Sequence, residues 1–314
     1  MKKRPKKSSR EQPILVIGDL IIDVHHFGEL GGTSTEAPVP LGFHTESRLG
    51  WGGAGLVVRN LLALGKNVTF ISVLGDDEFA HKAREFEHRL LKKIFFTERR
   101  ATMVKERFIV DGAKVLRWNR GDSKPINPKT SREIVTCIKK NIPNFGKILI
   151  SDYRHGLMTT KLAREIIALA TKSNTPVFVD SQIVRGENNH RWYEGAHLFC
   201  VNEKEATNIS PTFNADELET STEQLKSLLK TSAVVVKLGA RGSATILEDE
   251  YFETPTLRVQ AVDPVGAGDA FFAALASQGV LSKDAVAYAN RWASLATTIE
   301  GTEPPTLKML RQLA

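Results

Sequence analysis

The sequence predicts an α/β fold in which a mostly parallel sheet is covered by helices on both faces. Short, uninterrupted apolar runs, such as residues 14–17 and 233–238, are typical of strands buried on both faces. Stretches with apolar residues at helical spacing separate several of these runs. Strands that alternate with helices predict parallel connections and two helical layers around one sheet.

The elements follow in order along the chain. The predicted strands of the main sheet cover residues 14–17, 68–73, 147–150, 176–179, 197–201 and 233–238. The predicted helices cover residues 54–64, 77–91, 131–142, 160–173, 222–230, 268–278 and 282–299. A further strand is predicted at residues 258–262. Single α/β domains reach a length of 314 residues, so one domain is sufficient.

Two stretches, residues 23–49 and 98–118, break this pattern. Both alternate polar and apolar residues over short distances and contain no helical period. We interpret them as antiparallel strands or loops outside the main sheet that together form a small lid over the active site.

The positive charge is concentrated at the amino terminus. The formal net charge is +7, but six of these charges lie in the first ten residues, which leaves +1 for the remainder. We predict a disordered basic tail over residues 1–12 and one folded domain over residues 13–314. A tail that binds polyanions or directs localisation stays an alternative. The positive and negative charges of the remainder nearly balance, which argues against nucleic acid as a partner of the domain.

Two cysteines, Cys137 and Cys200, lie far apart in the sequence and belong to no Cys/His cluster. This spacing favours neither a disulfide framework nor a zinc site. The first apolar run is too short for a signal peptide, and no stretch is long enough to span a membrane. We therefore expect a cytoplasmic protein with no membrane partner.

A glycine-rich turn opens a predicted helix near the carboxyl end of the chain. It consists of Gly266, Ala267 and Gly268, and small apolar residues follow it. Glycines let the backbone approach a ligand closely, and the N–H groups of a first helical turn have no partner within the helix. The turn therefore predicts a binding site for a phosphoryl group.

Asp269 lies beside this predicted anion site. Because a carboxylate there would repel a phosphate unless it acts on the nucleophile, we expect Asp269 to face the acceptor hydroxyl and to take its proton as general base. An Asp in a first turn also stabilises a helix as a cap and through the helix dipole, and the residue type alone leaves that alternative open.

Residues 263–271, which read D-P-V-G-A-G-D-A-F, resemble the carboxyl-terminal signature of the ribokinase-like (PfkB-type) carbohydrate kinases. The resemblance implies a ribokinase-like three-layer sandwich with a small β lid, and transfer of the γ-phosphoryl group of ATP to a sugar hydroxyl. It also implies that Asp269 is the catalytic base and that the backbone of Gly266, Ala267 and Gly268 stabilises the developing charge.

Further positions resemble the nucleotide site of that family. Asn202-Glu-Lys-Glu205 is similar to its N-x-x-E motif, which implies that Glu205 organises Mg²⁺ through water; composition alone indicates a solvated helix start. The resemblance implies a K⁺ site, found in some members, at Asp263. It also implies nucleotide contacts at Asn202, Lys237, Gly239, Gly242 and Asn290.

The amino-terminal half resembles the acceptor site of the same family. The resemblance implies that Asp23, just beyond the first strand, binds sugar hydroxyls; a plain turn residue is the alternative. It implies further substrate contacts at Gly52, Gly53 and Asn60.

Three segments are similar to the heptose 7-phosphate kinases of lipopolysaccharide-precursor synthesis: residues 35–40, 102–107 and 151–156. This resemblance implies conversion of heptose 7-phosphate to heptose 1,7-bisphosphate, with contacts from Asp152 and Tyr153. Lys105 and Arg107 alternate along a predicted strand, so both would point to one face and could hold a phosphate.

Two departures leave another phosphorylated sugar or a sugar acid as an alternative substrate. Leu56 stands where the family has Asn, and Ser181-Gln182 stand where it has Pro-Lys. We expect the sugar phosphate and ATP as small-molecule partners, and a homodimer formed through the lid.

Two other classes of function remain to be weighed. Residues 50–55 satisfy G-x-G-x-x-G with acidic residues about twenty positions later, the fingerprint of an NAD-dependent oxidoreductase. Against this alternative, residues 41–49 do not resemble the buried strand that the fingerprint must follow. A non-catalytic sensor of sugar or nucleotide is the third class, and the presence of Asp269 argues against it.

Overall fold

Two β-sheets organise the molecule. Its structure is a computed structural model that describes residues 12–312. The strands of this part of the chain are β1 Ile14–Gly18, β2 Leu20–Thr33, β3 Pro40–Gly53, β4 Val68–Leu74, β5 Leu91–Thr97, β6 Val104–Val110, β7 Ala113–Arg120, β8 Lys147–Asp152, β9 Val177–Ser181, β10 Leu198–Asn202, β11 Ala233–Lys237, β12 Ser243–Leu247 and β13 Glu250–Thr254. The α-helices are α1 Ala54–Ala63, α2 Glu78–Glu85, α3 Pro128–Asn141, α4 Thr160–Ser173, α5 Glu203–Ile209, α6 Leu218–Leu229, α7 Ala267–Ala276, α8 Lys283–Ala296 and α9 Leu307–Arg311.

The larger sheet has the strand order β13-β12-β11-β10-β9-β8-β1-β4-β5. Its strands are parallel from β5 to β11, and the β12–β13 hairpin adds an antiparallel edge. Parallel neighbours need crossover connections, and the intervening helices supply them. The predicted α/β class with a mostly parallel central sheet is confirmed.

Both faces of the larger sheet are buried by helices. In β1, Ile14 and Val16 pack into one hydrophobic core, while Leu15 and Ile17 pack into the other. Helices α1, α7 and α8 contribute to the first core, and α3, α4 and α6 to the second. This alternation gives three layers and explains why the strands read as continuous apolar runs.

The smaller sheet has the order β3-β2-β6-β7 and joins the two polar-alternating stretches. Strand β2 pairs antiparallel with β3 and parallel with β6, with Asp23 opposite Lys105. The first five residues of β2 are buried, and its last five are exposed. A small sheet outside the main one, as predicted, is confirmed.

Two predicted elements are wrong. No strand is present at residues 258–262, because the N–H groups of Val262 and Asp263 bond to the Thr297 carbonyl after α8 rather than to a strand. The predicted helix at residues 77–91 ends at Glu85, and the next apolar run forms β5 beside β4.

The predicted tail over residues 1–12 lies outside the described residues apart from Gln12, and the domain over residues 13–314 stays a prediction. Within the described part of the chain, no helix has the length and apolarity needed to cross a bilayer.

Candidate active site

A cleft of about 610 Å³ lies where the smaller sheet faces the carboxyl ends of β9, β10 and β11. Open parallel sheets bind ligands at this edge. The predicted site residues that line the cleft are Asp23, Gly53, Lys105, Arg107, Tyr153, Asn202, Glu205, Lys237, Gly266, Gly268 and Asp269.

The glycine turn at residues 266–268 forms the start of α7. Gly266 caps the helix with φ 83°, a left-handed conformation that favours glycine. A Cβ at this position would also overlap the Leu56 side chain. The N–H groups of Gly268 and Asp269 lie in the first turn, where no preceding helical carbonyl is available, so the turn can bind an anion as the sequence predicts.

Asp269 is half-buried in the cleft wall. Its carboxylate accepts a hydrogen bond from the Tyr153 hydroxyl, which lies 2.7 Å from each carboxylate oxygen. Burial raises the pKa of Asp269 to about 7, although the Tyr153 hydrogen bond partly offsets this effect. A carboxylate with this pKa is suited to accept a proton near neutral pH.

Tyr153 is held in place from behind by two buried carboxylates. Asp19 accepts a hydrogen bond from the Tyr153 N–H at 3.0 Å, and Asp152 accepts one from the Arg154 N–H at 2.8 Å. Asp152 is only 1% exposed as a residue, and its carboxylate also binds the Tyr193 hydroxyl at 2.6 Å. The structure therefore places Asp152 behind the cleft wall, where it supports the loop rather than reaching a substrate.

Asp23 and Arg107 form a buried ion pair in the smaller sheet. Arg107 Nη1 lies 2.7 Å from Asp23 Oδ1. A Cβ at residue 52 would overlap the Asp23 carboxylate, so Gly52 is needed for this close approach. Lys105 lies on the same face of β6 as Arg107, and its ammonium stands 5.0 Å from the centre of the Tyr153 ring.

Asn202 and Glu205 form a capping box at the start of α5. Asn202 Oδ1 accepts the Glu205 N–H at 2.9 Å, and Glu205 Oε2 accepts the Asn202 N–H at 2.8 Å. Glu205 is buried rather than solvated, and burial raises its pKa to about 7 while Lys237 opposes the shift. Lys237 Nζ lies 2.5 Å from Asp180 Oδ2.

The oxygen donors here fit a hard cation. Glu205 lines the cleft, where the neighbouring Asp180 is already paired with Lys237, and no group of three or more potential metal-ligating side chains occurs within residues 12–312. A Mg²⁺ ion keeps several waters and is commonly held by one or two carboxylates plus substrate phosphates. The donor set therefore fits Mg²⁺ bound together with a nucleotide.

Other predicted site residues lie behind or beside the cleft wall. Asn60 is buried under α8 and accepts the Trp292 Nε1–H at 2.8 Å, so it supports helix packing. Asn290 is buried and donates to Ser243 Oγ at 2.9 Å. Asp263 binds the Lys114 ammonium at 2.8 Å.

Two more predicted positions, Gly239 and Gly242, shape the turn after β11. Gly242 has φ 95°, and a Cβ there would overlap the Thr254 carbonyl. These residues fix the backbone at the end of the strand that carries Lys237.

Comparisons with known proteins agree with this fold. The family model described as pfkB family carbohydrate kinase matches residues 12–309. The chain belongs to the pfkB family of carbohydrate kinases. Use of ATP follows from membership of this kinase family.

Curated relatives of this pfkB family kinase include two bacterial proteins named "Bifunctional protein HldE". The protein of a Nitratiruptor species is 32% identical over 95% of the chain, and that of Aliarcobacter butzleri is 31% identical over 95%. The alignments cover 64% and 63% of those proteins, so the chain spans just under two thirds of their length.

Solved structures similar to this pfkB family kinase share its fold. Phosphofructokinase-2 from Escherichia coli in complex with substrates and products has a TM-score of 0.78 at 17% identity, covering 96% of this chain and 97% of that one. Arabidopsis thaliana ribokinase complexed with ribose and ATP has a TM-score of 0.71 at 18% identity, covering 96% and 99%. The ribokinase-like fold is thereby confirmed.

The family assignment removes the oxidoreductase alternative. Residues 50–55 end the antiparallel strand β3 and enter α1, so they do not follow the buried parallel strand that a dinucleotide site requires.

Sequence reasoning missed Asp180, Lys114 and Arg117 in the cleft of this pfkB family kinase. Asp180 follows a predicted strand just as Asn202 does, and that position was a usable signal. Lys114 and Arg117 are three residues apart, which a regular strand would place on opposite faces. A β-bulge in the β6–β7 pairing inserts one extra residue and brings both into the cleft.

Proposed function

We propose that this kinase transfers the γ-phosphoryl group of ATP to a hydroxyl of a phosphorylated sugar, heptose 7-phosphate, to form heptose 1,7-bisphosphate. In this reaction the bond from the acceptor oxygen to the γ-phosphorus forms and the bond to the bridging oxygen breaks. The acceptor proton passes to Asp269, and ADP leaves. The first turn of α7 would hold the transferred group, and Asn202 and Glu205 would lie at the nucleotide.

The observation that carries the proposal is a group of cations in the smaller sheet opposite Asp269. Lys105, Arg107, Lys114 and Arg117 all line the cleft. Arg107 and Lys114 are paired with carboxylates, whereas Lys105 and Arg117 take part in no ion pair within residues 12–312. Two unpaired cations in a half-enclosed cleft favour an acceptor that carries its own phosphate.

Bound Mg²⁺ would neutralise phosphate charge and help to orient the nucleotide, with Glu205 as the residue that would hold it through water. A K⁺ ion at Asp263 remains part of the proposal. There the ammonium of Lys114 already binds one carboxylate oxygen, and the Val265 N–H donates to the other at 3.2 Å. We also propose a cytoplasmic location, where ATP is available and the free thiols of Cys137 and Cys200 stay reduced.

A different sugar phosphate or a sugar acid is the second candidate, and Leu56 favours it. Its side chain lines the cleft beside Gly266 and offers no hydrogen bond to a sugar hydroxyl. An acceptor that lacks a hydroxyl at this point would suit the cleft better.

Dimerisation through the smaller sheet completes the proposal. This sheet exposes large apolar side chains on β2, β3 and β7, which are Leu30, Leu41, Phe43, Val115, Leu116 and Trp118. Exposed apolar side chains in this number on one small sheet favour association with a second copy.

An acceptor screen tests the proposed substrate. ADP formation would be compared among heptose 7-phosphate, unphosphorylated heptose, fructose 6-phosphate and a sugar acid. We expect turnover with the heptose phosphate, and NMR of the product should place the new phosphate on C1. Preference for an unphosphorylated sugar would contradict the proposal.

The variant Lys105→Met tests the phosphate contact. Loss of one charge-assisted contact should raise KM for the phosphorylated acceptor by about 10–100-fold. Lys129→Met, which changes an exposed lysine of α3, is the matched control and should leave KM unchanged.

A further inference from the structure

Lys237 carries its charge into the centre of the cleft. It is the last residue of β11 and lies next to Asn202 in the strand register. Its ammonium reaches across the end of β10 to Asp180 on β9, at 2.5 Å. A Cβ built on Gly268 would stand 3.5 Å from Lys237 Nζ. The ammonium therefore lies close to the first turn of α7, on the side of the cleft that also holds Asp269.

The charges around the cleft are unevenly distributed. Among the cations that line it within residues 12–312, Lys237 alone belongs to the larger sheet, and the other four lie on β6 and β7. Asp180, Glu205 and Asp269 face the same part of the cleft as Lys237. Without this lysine, a nucleotide phosphate would enter a region whose side chains are all acidic or neutral.

We propose that Lys237 is a catalytic residue whose ammonium contacts the γ-phosphoryl group during its transfer, with Asp180 as the residue that positions it. This inference rests on the proposed kinase function and goes beyond nucleotide binding, because it assigns the lysine to the moving group. The γ-phosphorus leaves the bridging oxygen of ADP and joins the acceptor oxygen, while Asp269 takes the proton. Lys237 donates hydrogen bonds throughout and exchanges no proton.

The electrostatics of the pair support this role. Burial disfavours the charged form of Lys237, but the Asp180 carboxylate outweighs this effect and raises the pKa of the lysine above its usual value. The side chain therefore stays protonated throughout the neutral range. Phosphoryl transfer spreads negative charge over the equatorial oxygens, and an ammonium fixed beside the helix start is oriented before that charge develops.

Turnover measurements test the catalytic role. Lys237→Met should lower kcat by about 10²–10³-fold, the usual loss for one preorganised charge-stabilising donor. Lys237→Arg should recover part of that loss. Lys226→Met removes the lysine of another Lys–Asp pair, that with Asp249 on the protein surface, and should turn over like the parent.

A simpler role for Lys237 would be to neutralise Asp180. The substitution is therefore repeated in an Asp180→Asn background, where no unpaired carboxylate is left behind. We expect Lys237→Met still to lower kcat in the Asp180→Asn background, but by a smaller factor than in the parent, because the ammonium is no longer held in place by the carboxylate. A loss that disappears in the Asp180→Asn background would overturn the proposal.

A binding experiment tests whether Lys237 contacts the transferred group, and it needs neither an acceptor sugar nor turnover. Calorimetry would measure ADP affinity in Mg²⁺ buffer with and without aluminium fluoride, which mimics the transferred phosphoryl group. We expect the parent to gain affinity with fluoride, and Lys237→Met to lose most of that gain while keeping its affinity for ADP alone.

The outcomes of this experiment separate the two proposals. If Lys237→Met keeps the full increase in ADP affinity with aluminium fluoride, Lys237 does not contact the transferred group, and the kinase proposal stands. If the parent itself fails to bind ADP, the kinase proposal fails, and the role of Lys237 fails with it.

Discussion

The substitution Tyr153→Phe isolates one contact of the proposed catalytic base. It removes the hydroxyl that lies 2.7 Å from each carboxylate oxygen of Asp269 and donates its one proton to that carboxylate, and it leaves the aromatic ring in place. The hydrogen bond stabilises the ionised carboxylate, and it opposes the effect of burial on the pKa of Asp269. Its loss should therefore raise that pKa further.

The size of the shift follows from the strength of the bond. A hydrogen bond to a charged group contributes about 1.5–3 kcal/mol, and one pKa unit corresponds to about 1.4 kcal/mol. The pKa of Asp269, about 7 in the parent, should rise by about 1–2 units. The ionised fraction at pH 7 would then fall from about one half to between about one tenth and one hundredth.

The pH dependence of kcat/KM measures this change, because it reports groups of the free enzyme. The acid limb of the profile should move to higher pH by about 1–2 units, and activity at pH 7 should fall by about 5–50-fold. Parent and variant should converge above about pH 9.5. Tyr251→Phe, which removes a hydroxyl bound to exposed Glu253, is the control and should leave the profile in place.

Two results would refute the reasoning. An equal fall of kcat/KM at every pH would mean that Tyr153 contacts the substrate, as the sequence resemblance implied, and not chiefly the base. An unchanged acid limb with unchanged activity would mean that Asp269 does not titrate as the essential base.

Three further predictions follow from neighbouring contacts. Asp269→Asn should abolish ADP formation, because the general base is removed. It should also raise Tm at pH 8: the pKa of Asp269 is about 7 in the folded protein, well above its usual value near 4, so the parent protein loses stability as the pH rises from about 4 to 7, and the neutral amide avoids this loss. Scanning calorimetry measures the change in Tm. Lys114→Met should make turnover more dependent on K⁺, since the ammonium no longer occupies Asp263; assays in K⁺ and in tetramethylammonium compare the two. Phe43→Glu should convert a dimer into a monomer by light scattering, because its side chain is 60% exposed on the smaller sheet.

Each of these predictions has a contrary outcome. Parent-like turnover of Asp269→Asn would exclude it as the base, and an equal Tm at pH 8 would argue against its raised pKa. An unchanged K⁺ response of Lys114→Met would remove Asp263 from the cation proposal. For the dimer, Val280→Glu changes an exposed residue outside the smaller sheet and should have no effect. Equal masses for all three proteins would contradict dimerisation through that sheet.

Much of the larger sheet could be predicted from the sequence because its signal is local. A strand buried on both faces must be apolar throughout, so runs such as residues 147–150 and 197–201 were sufficient to find β8 and β10. The segment at residues 258–262, which reads R-V-Q-A-V, instead alternates polar and apolar residues, and it has no neighbouring strand with which to pair. Only tertiary structure shows that its N–H groups bond to the end of α8 instead.

Within the site, the glycine turn and Asp269 could be predicted because all of their chemistry lies in four consecutive residues. The partners of these groups could not. Tyr153 and Asp269 are 116 residues apart, and Lys237 and Asp180 are 57 apart. No spacing rule joins them, because such contacts depend on which strands become neighbours in the sheet.

The Lys114–Asp263 pair shows why such long-range contacts matter for the chemistry. Lys114 belongs to β7 of the smaller sheet, whereas Asp263 lies three residues before Gly266, the cap of α7. The pair therefore connects the sheet that would bind the acceptor to the loop that sets the position of the phosphoryl site. Only the lysine of the pair is near solvent, because 49% of the Lys114 side chain is exposed against 5% of the Asp263 side chain. A cation can therefore replace the ammonium at Asp263, whereas loss of the ammonium without a replacement would leave a buried carboxylate unpaired. Binding of an acceptor phosphate by Lys114 would thus be coupled to binding of a cation at Asp263.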